Sequence, residues 1–499
     1  MMSAILRRAW LLLCAAPSLA AAQDTTGVRT PPGPPVQRIA TASALSTDPL
    51  GSIVGVRELP DGRVLVNDGM RRRLLLMDTA LKTVAVVLDS LSEISNTYGT
   101  RAGALLPYRA DSTLFVDPAS FAMLVLDAEA NITRVRSVWR VRDVSFISGT
   151  AQWGWPGIDA HGRVVYRIPA MAALPVGNAP SGMPFLPQEP DSAFIVAVTL
   201  DTRRVDTLTS IRIPRSEMRI RRTVEGFFSF DQVFNPLPIT DDWALLSDGT
   251  LAVVRALDYR IDYLNPDGAW TSSAKLPYEW QRLTDDDKQR LVDSVKVAQQ
   301  RNAMTQWVGG MIRWVNLYSR PYPENFKVPE GFVVPPGLPR DWLMPPGVTL
   351  PPNYIYACPP GVEPNRTPGR TSVEATGRAE AAAANCIPAP IQVGGGNAPP
   401  PPTIRTVNVM AALDLPDYRP PIGTGAVRAD MDGNLWIRAN PVRPIPGGPV
   451  YDIVSRQGEL VNRLQTPPGY SIVGFGKGKV VYLSMRDATG IHLARVRLR

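Results

Sequence analysis

Six side chains of this sequence share a repeated place and carry chemistry. Six positions beyond a recurrent turn residue stand Asn67, Asp117, Arg167, Val254, Arg438 and Leu483; one position further lie Asp68 and Arg255. The guanidinium group is a rigid fork of N–H donors that matches a carboxylate or phosphate. Arg167, Arg255 and Arg438, brought together, would receive an anionic ligand. Asn67, Asp68 and Asp117 would face them with an amide and carboxylates. The competing assignment is that these charges pair with one another, because a charge removed from water is costly unless it is compensated.

Other chemistry is sparse. The chain has two histidines, His161 and His492, and His161 occupies a turn position that is Asp in other copies, so no Ser/His/Asp set can be assembled. Asp241-Asp242 and Asp285-Asp286-Asp287 lack the alternating oxygen ligands of a calcium loop. No catalytic residue and no metal ligand is assigned, and no cofactor is indicated. Asn131-Ile132-Thr133 and Asn365-Arg366-Thr367 fit the glycosylation sequon, which matters only in a host that glycosylates exported chains.

The elements that position these residues come from a repeat. A polar turn, often Asp-Gly, is followed by an apolar run at Asp61-Gly62-Arg63-Val64-Leu65-Val66 and again at Asp111, His161, Asp248, Asp432 and Lys477. Asp-Gly accepts the positive φ of a tight hairpin turn, and the β-branched and aromatic residues after it suit a buried strand. An apolar stretch precedes each turn, as in Ile53-Val54-Gly55-Val56, and a third strand follows, as in Leu74-Leu75-Leu76-Met77. A fourth appears in Val84-Ala85-Val86-Val87. Four antiparallel strands make one propeller blade. Asp61 to Asp111 and Asp111 to His161 each span 50 residues and Asp432 to Lys477 spans 45, the repeat length of a blade.

The expected fold is therefore all-β: a six-bladed β-propeller closed by its N-terminal strand. The sixth copy runs out after its third strand, so Val36-Gln37-Arg38-Ile39-Ala40 is expected to complete it and remove an open edge. The rival β-sandwich does not account for six copies of one turn. Blades one to four occupy residues 36–278 (closing strand 36–40), and blades five and six residues 406–499. The longest gap, residues 279–405, is expected to be a partly helical, Pro-rich insertion after blade four. Thr284 can cap a helix whose first turn is Asp285-Asp286-Asp287, with Leu291, Val295 and Ala298 on one face. Trp307, Met311, Trp314 and Tyr318 form a second amphipathic set, weakened by Gly309-Gly310. This insertion is expected to pack on one face of the ring, the alternatives being a lid or a partner-docking element. A shorter Pro/Gly/Ala-rich loop is expected at 169–190.

Residues 1–22 read as a signal peptide, with Arg7-Arg8, an apolar run broken at Pro17, and Ala20-Ala21-Ala22 ahead of cleavage before Gln23. Cys14 lies in that run, but Leu13 is too bulky for a lipobox. No later segment carries the ~18 apolar residues of a membrane span, so a secreted or periplasmic chain is expected. Cys358 and Cys386 then remain, and an oxidising compartment favours a disulfide between them. The formal charge of +8 is spread thinly, and Arg71-Arg72-Arg73 has no interleaved aromatic, so nucleic acid is not an expected partner.

The repeated Asp-Gly-x-Leu-(Trp/Phe/Val)-Val unit resembles the six-bladed propeller superfamily, most of all its NHL-repeat and TolB-like members. Asp432-Gly433-Asn434-Leu435-Trp436-Ile437 followed by Tyr451-Asp452-Ile453-Val454 carries the resemblance best. It covers residues from about 36 to 277 and from about 420 to the end. Members of that superfamily include periplasmic interaction proteins, sugar and peptide binders, and metal-dependent lactonases. The lactonase branch implies a Glu/Asn/Asp set around a divalent ion, which Asn67, Asp68 and Asp117 would supply in part, but Arg167, Arg255 and Arg438 oppose a cation. The expected function is ligand or protein binding in the cell envelope, with a small anionic ligand or an envelope protein as partner. The alternative is a metal-dependent hydrolase, lactonase or lyase.

Overall fold

The computed structural model describes residues 33–90, 96–109, 111–148, 154–169, 190–214, 217–222, 228–318, 354–357, 387–390, 408–442 and 445–498. Within them six sheets form a ring, each built on four antiparallel strands, one of them with a fifth, parallel strand at its outer edge. The inner strands are Ile53–Glu58, Ala104–Pro107, Gly157–Ile158, Asp242–Leu245, Ile422–Ala429 and Ser471–Gly476. The second strands of blades one to four, Val64–Asp68 and its counterparts, are the most deeply buried of their blades. Successive residues of a strand face opposite sides of the sheet. Thus Val64 and Val66 pack against blade six, while Leu65 packs against blade two.

Each of the six junctions between neighbouring blades holds one apolar cluster. The junction of blades six and one is as well filled as the rest, with Tyr482 and Leu493 on Val64 and Val66. Tyrosines latch four junctions: Tyr98 to Asn67, Tyr166 to Asp143, Tyr259 to Asp452 and Tyr482 to Glu58, at 2.7, 2.7, 2.7 and 2.5 Å. The turn glycines Gly62, Gly162, Gly249, Gly433 and Gly478 all have positive φ, and in blade two Asp111 adopts it instead.

The N-terminal segment closes the ring, but through other residues than 36–40. Ala44–Leu45 pairs antiparallel with the third strand of blade six, Ile491–Arg497. Ser46 extends the contact: its N–H reaches the Leu493 carbonyl, its Oγ accepts the Leu493 N–H, and its carbonyl lies 2.8 Å from His492 Nδ1. Val36–Arg38 instead runs parallel to Leu460–Gln465 on the outer edge of blade five. The reason is chain length. The closing strand must lead into Ile53 within a few residues, as Gln465 leads into Ser471 between blades five and six, and only the residues just before Ile53 can do so.

After blade four one helix, Asp285–Tyr318, runs through the Gly309-Gly310 pair. The Thr284 Oγ1 accepts the Asp287 N–H, and the Asp287 carboxylate accepts from Thr284 in return. Leu291, Val292 and Val295 pack on Val409, Met410, Ala412 and Leu415, and Lys288 is buried against Asp417 at 2.7 Å. Ala298 is exposed. The side chains of Trp307, Met311, Trp314 and Tyr318 lie outside the described residues, as do residues 170–189. No helix among the described residues is long and apolar enough to cross a membrane. A hairpin pairs Tyr354–Ala357 with Ile387–Pro390; Cys358 and Cys386, and the expected signal segment 1–22, lie outside the described residues.

Candidate functional site

Antiparallel strands give the ring two unlike faces. Connections from first to second and from third to fourth strands emerge on one, the turn face. Connections from second to third strands and from blade to blade emerge on the other, the loop face. The six residues singled out in the sequence all sit at the loop-face ends of second strands.

Local structure already engages most of them. Asn67 is fully buried between blades one and two; its Nδ2 donates to the Gly103 carbonyl at 2.8 Å, and its Oδ1 accepts from Tyr98. Asp68 accepts the N–H groups of Gly51 and Ser52, both at 2.9 Å, and of Arg71 at 3.3 Å. Asp117 accepts from the Ala119 N–H and from the Ser120 hydroxyl. A Cβ at Gly99 would fall 2.3 Å from its Oδ1, so that position has room only for glycine.

The three arginines have three environments. Arg255 donates to Asp262 at 2.7 Å and to Asp241 at 3.0 Å, both in blade four. Burial works against its charge, yet these hydrogen bonds outweigh it and hold the guanidinium above its ordinary value. Arg438 is exposed. Arg167 is buried; desolvation pulls its pKa down, and the charge of Asp242 opposes that. Ion pairing thus accounts for Arg255, within one blade.

Asp242, the first residue of the inner strand of blade four, is nearly inaccessible. Its Oδ2 accepts the Val427 N–H from blade five at 2.8 Å. Burial pushes its carboxyl up to about 7 despite that bond and the charge of Arg167.

A second ring of equivalent positions emerges from the strand register. The inner-strand residues opposite Leu65, Phe115, Val165, Ala252, Trp436 and Val481 are Arg57, Leu105, Gly157, Ala244, Arg428 and Phe475. Arg57 and Arg428 therefore stand at one level, in the blades on either side of blade six. The Arg428 guanidinium lies 4.0 Å from the ring centroid of Trp155 and 5.2 Å from that of Phe475, and it donates to the Ile472 carbonyl. Trp155 precedes the inner strand of blade three. Blade four separates blades three and five, so this stack crosses the central channel. Desolvation lowers the pKa of Arg428 to about 10, and that of Arg57 is lowered for the same reason. Four of the six positions lie four residues before the turn residue; unequal turns displace Leu105 and Phe475.

A cavity of about 750 Å³ also lies between blades five and six beneath the N-terminal crossing, with Arg38, Asn462 and Lys479 among its lining. Its carboxylates are committed: Asp430 holds the Asp432 and Asn434 N–H groups, and Asp432 those of Gly478 and Lys479.

No protein family matches the chain, and no curated protein sequence matches it. Among solved structures it is similar to a gluconolactonase from Xanthomonas campestris, at 12% identity and a TM-score of 0.33, covering 94% of this chain and 99% of that one. It is also similar to virginiamycin B lyase from Staphylococcus aureus, at 11% identity and a TM-score of 0.24, covering 48% and 74%. A nidogen/laminin complex aligns at 11% identity and a TM-score of 0.26, covering 46% and 66%. These likenesses concern architecture alone, and the strand pairing itself establishes the six-bladed ring.

Proposed function

We propose that the chain is an exported binding protein of the cell envelope, which meets its ligand on the loop face and at the channel mouth. The observation that carries this reading is the one-sided distribution of the connections. Turn-face links are short, as at 59–63 and 430–434. The long connections 169–191, 213–241 and 273–421 all leave from and return to the loop face. A ring whose long connections are anchored on one side offers them to a partner there. Arg7-Arg8 with the apolar run and Ala20-Ala21-Ala22 supports export. The partner class is a small anionic ligand or an envelope protein.

The alternative, a metal-dependent hydrolase, lactonase or lyase, has less support. Asp68 and Asp117, which would hold the ion, already accept two or more hydrogen bonds each, and Asn67 is locked between two blades. Fractionation of cells producing the full chain tests export: the chain is expected outside the cytoplasm with Gln23 at its N-terminus, and a full-length cytoplasmic chain would overturn this. Turnover of a lactone panel with added divalent ions, above the rate in buffer, would overturn the binding reading.

A further inference from the structure

We infer that the channel contains a binding site for an oxyanion, a carboxylate or phosphate group, received by Arg57 and Arg428 together with the indole N–H of Trp155. This rests on the binding reading and names what is bound, and it puts that group toward the turn-face end of the channel, where Arg57 and Arg428 are the penultimate residues of Ile53–Glu58 and Ile422–Ala429.

The first ground is placement. Arg57 and Arg428 occupy equivalent register positions, and at the same level blades three and four contribute only Gly157 and Ala244. Two long cationic side chains thus start from one level, where part of the wall is small.

The second ground is uncompensated polarity. Among the described residues no carboxylate lies within ion-pair distance of Arg428, whose bonded partners are the Ile472 carbonyl and two aromatic faces. Arg57 feels the charges of Asp111 and Glu58 but is bonded to neither, and its Nε is buried with no hydrogen-bond partner. Glu58 is taken by the Tyr482 hydroxyl, the Lys477 N–H and Arg495. The Nε1 of Trp155 is buried and without an acceptor as well. Both arginines are half-buried, whereas the Arg57 Nε and the Trp155 Nε1 are closed off from solvent, and buried polar atoms are almost always satisfied. Two guanidinium groups and an indole N–H are all donors with no acceptor capacity. The partner that fits these atoms is an acceptor, and an anion would meet the charge of the two arginines as well.

The third ground is rigidity. Trp155 and Phe475 hold the Arg428 plane, and the Ile472 carbonyl takes one of its five N–H groups. The remaining N–H groups are presented in a fixed fork, the form in which arginine recognises oxyanions.

The test uses the mature full chain with succinate and with inorganic phosphate, against sodium chloride at matched ionic strength, read by thermal shift and calorimetry. One or both oxyanions are expected to stabilise the protein beyond the chloride control, and the one that acts identifies the head group. Arg428→Met and Arg57→Met are each expected to weaken binding about tenfold or more, and Trp155→Phe to weaken it while keeping the stack. Ligand-free Arg428→Met is expected to unfold close to the parent, since Met keeps the packing on Trp155 and Phe475 and loses one hydrogen bond and the cation–π contacts. Absence of any oxyanion effect, undiminished binding in both Met variants, or a large fall in the ligand-free melting temperature of Arg428→Met would overturn the site. An exported chain that ignores oxyanions sinks the site alone, whereas a cytoplasmic chain that binds them sinks only the envelope assignment.

Discussion

Asp242 makes the stability of this propeller depend on pH in an unusual direction. Its carboxyl is raised from 3.8 to about 7 by burial between blades four and five. Between those two values the folded protein keeps a proton that the unfolded chain has released, so stability falls as pH rises. Each pH unit costs about 1.4 kcal/mol, and the whole interval about 4 kcal/mol. The contribution is complete below pH 3.8 and lost by about pH 7. Asp242→Asn should abolish the slope, because the amide mimics the neutral acid and can still accept the Val427 N–H. The assay is urea unfolding followed by tryptophan fluorescence at half-unit steps from pH 4.5 to 8, with the variant subtracted from the parent. Asp452, whose carboxyl burial also raises, is common to both proteins and cancels. Asp258, Asp262 and Asp487 are held below their ordinary values and act only at more acidic pH. A parent-minus-variant difference that stays flat across the window, or that rises with pH, would refute the reasoning.

Other perturbations follow from the same contacts. Asp452 holds Arg463 at 2.9 Å and the Tyr259 hydroxyl at 2.7 Å, all buried; Asp452→Ala should cost about 3–5 kcal/mol in urea unfolding by leaving Arg463 unpaired, and Tyr259→Phe only about 1 kcal/mol. A chain beginning at Ala42 should retain one cooperative thermal transition, whereas one beginning at Ser52 loses the Ala44–Leu45 closure and should melt far lower or aggregate. Cys358 and Cys386 directly follow and precede the last register pair, Ala357 and Ile387; peptide mapping without reductant is expected to recover them linked.

Much of the ring was legible because its turn chemistry repeats: glycine or Asp at a positive φ, then a run buried on both faces. Which N-terminal residues close it was not legible. Val36–Arg38 and Ala44–Leu45 are both short edge segments, and only the length of the link to Ile53 separates them. The helix is continuous through Gly309-Gly310 because two glycines weaken a helix by about 1 kcal/mol each and do not remove its hydrogen bonds. The polar residues were harder. Comparing positions after the turn finds Asn67, Asp68 and Asp117, whose polarity serves backbone N–H and carbonyl groups that a sequence does not display. Comparing positions before it would have aligned Arg57 with Arg428, but only where the turns have equal length. Asp242 was visible merely as half of an acidic pair; its significance comes from burial, which only packing reveals.

The most direct test of the account is calorimetric titration of succinate and phosphate into the mature chain and into its Arg57→Met/Arg428→Met double variant. Saturable binding of one equivalent is expected in the parent and none in the variant. Equal binding in both proteins, or none in the parent, would contradict it.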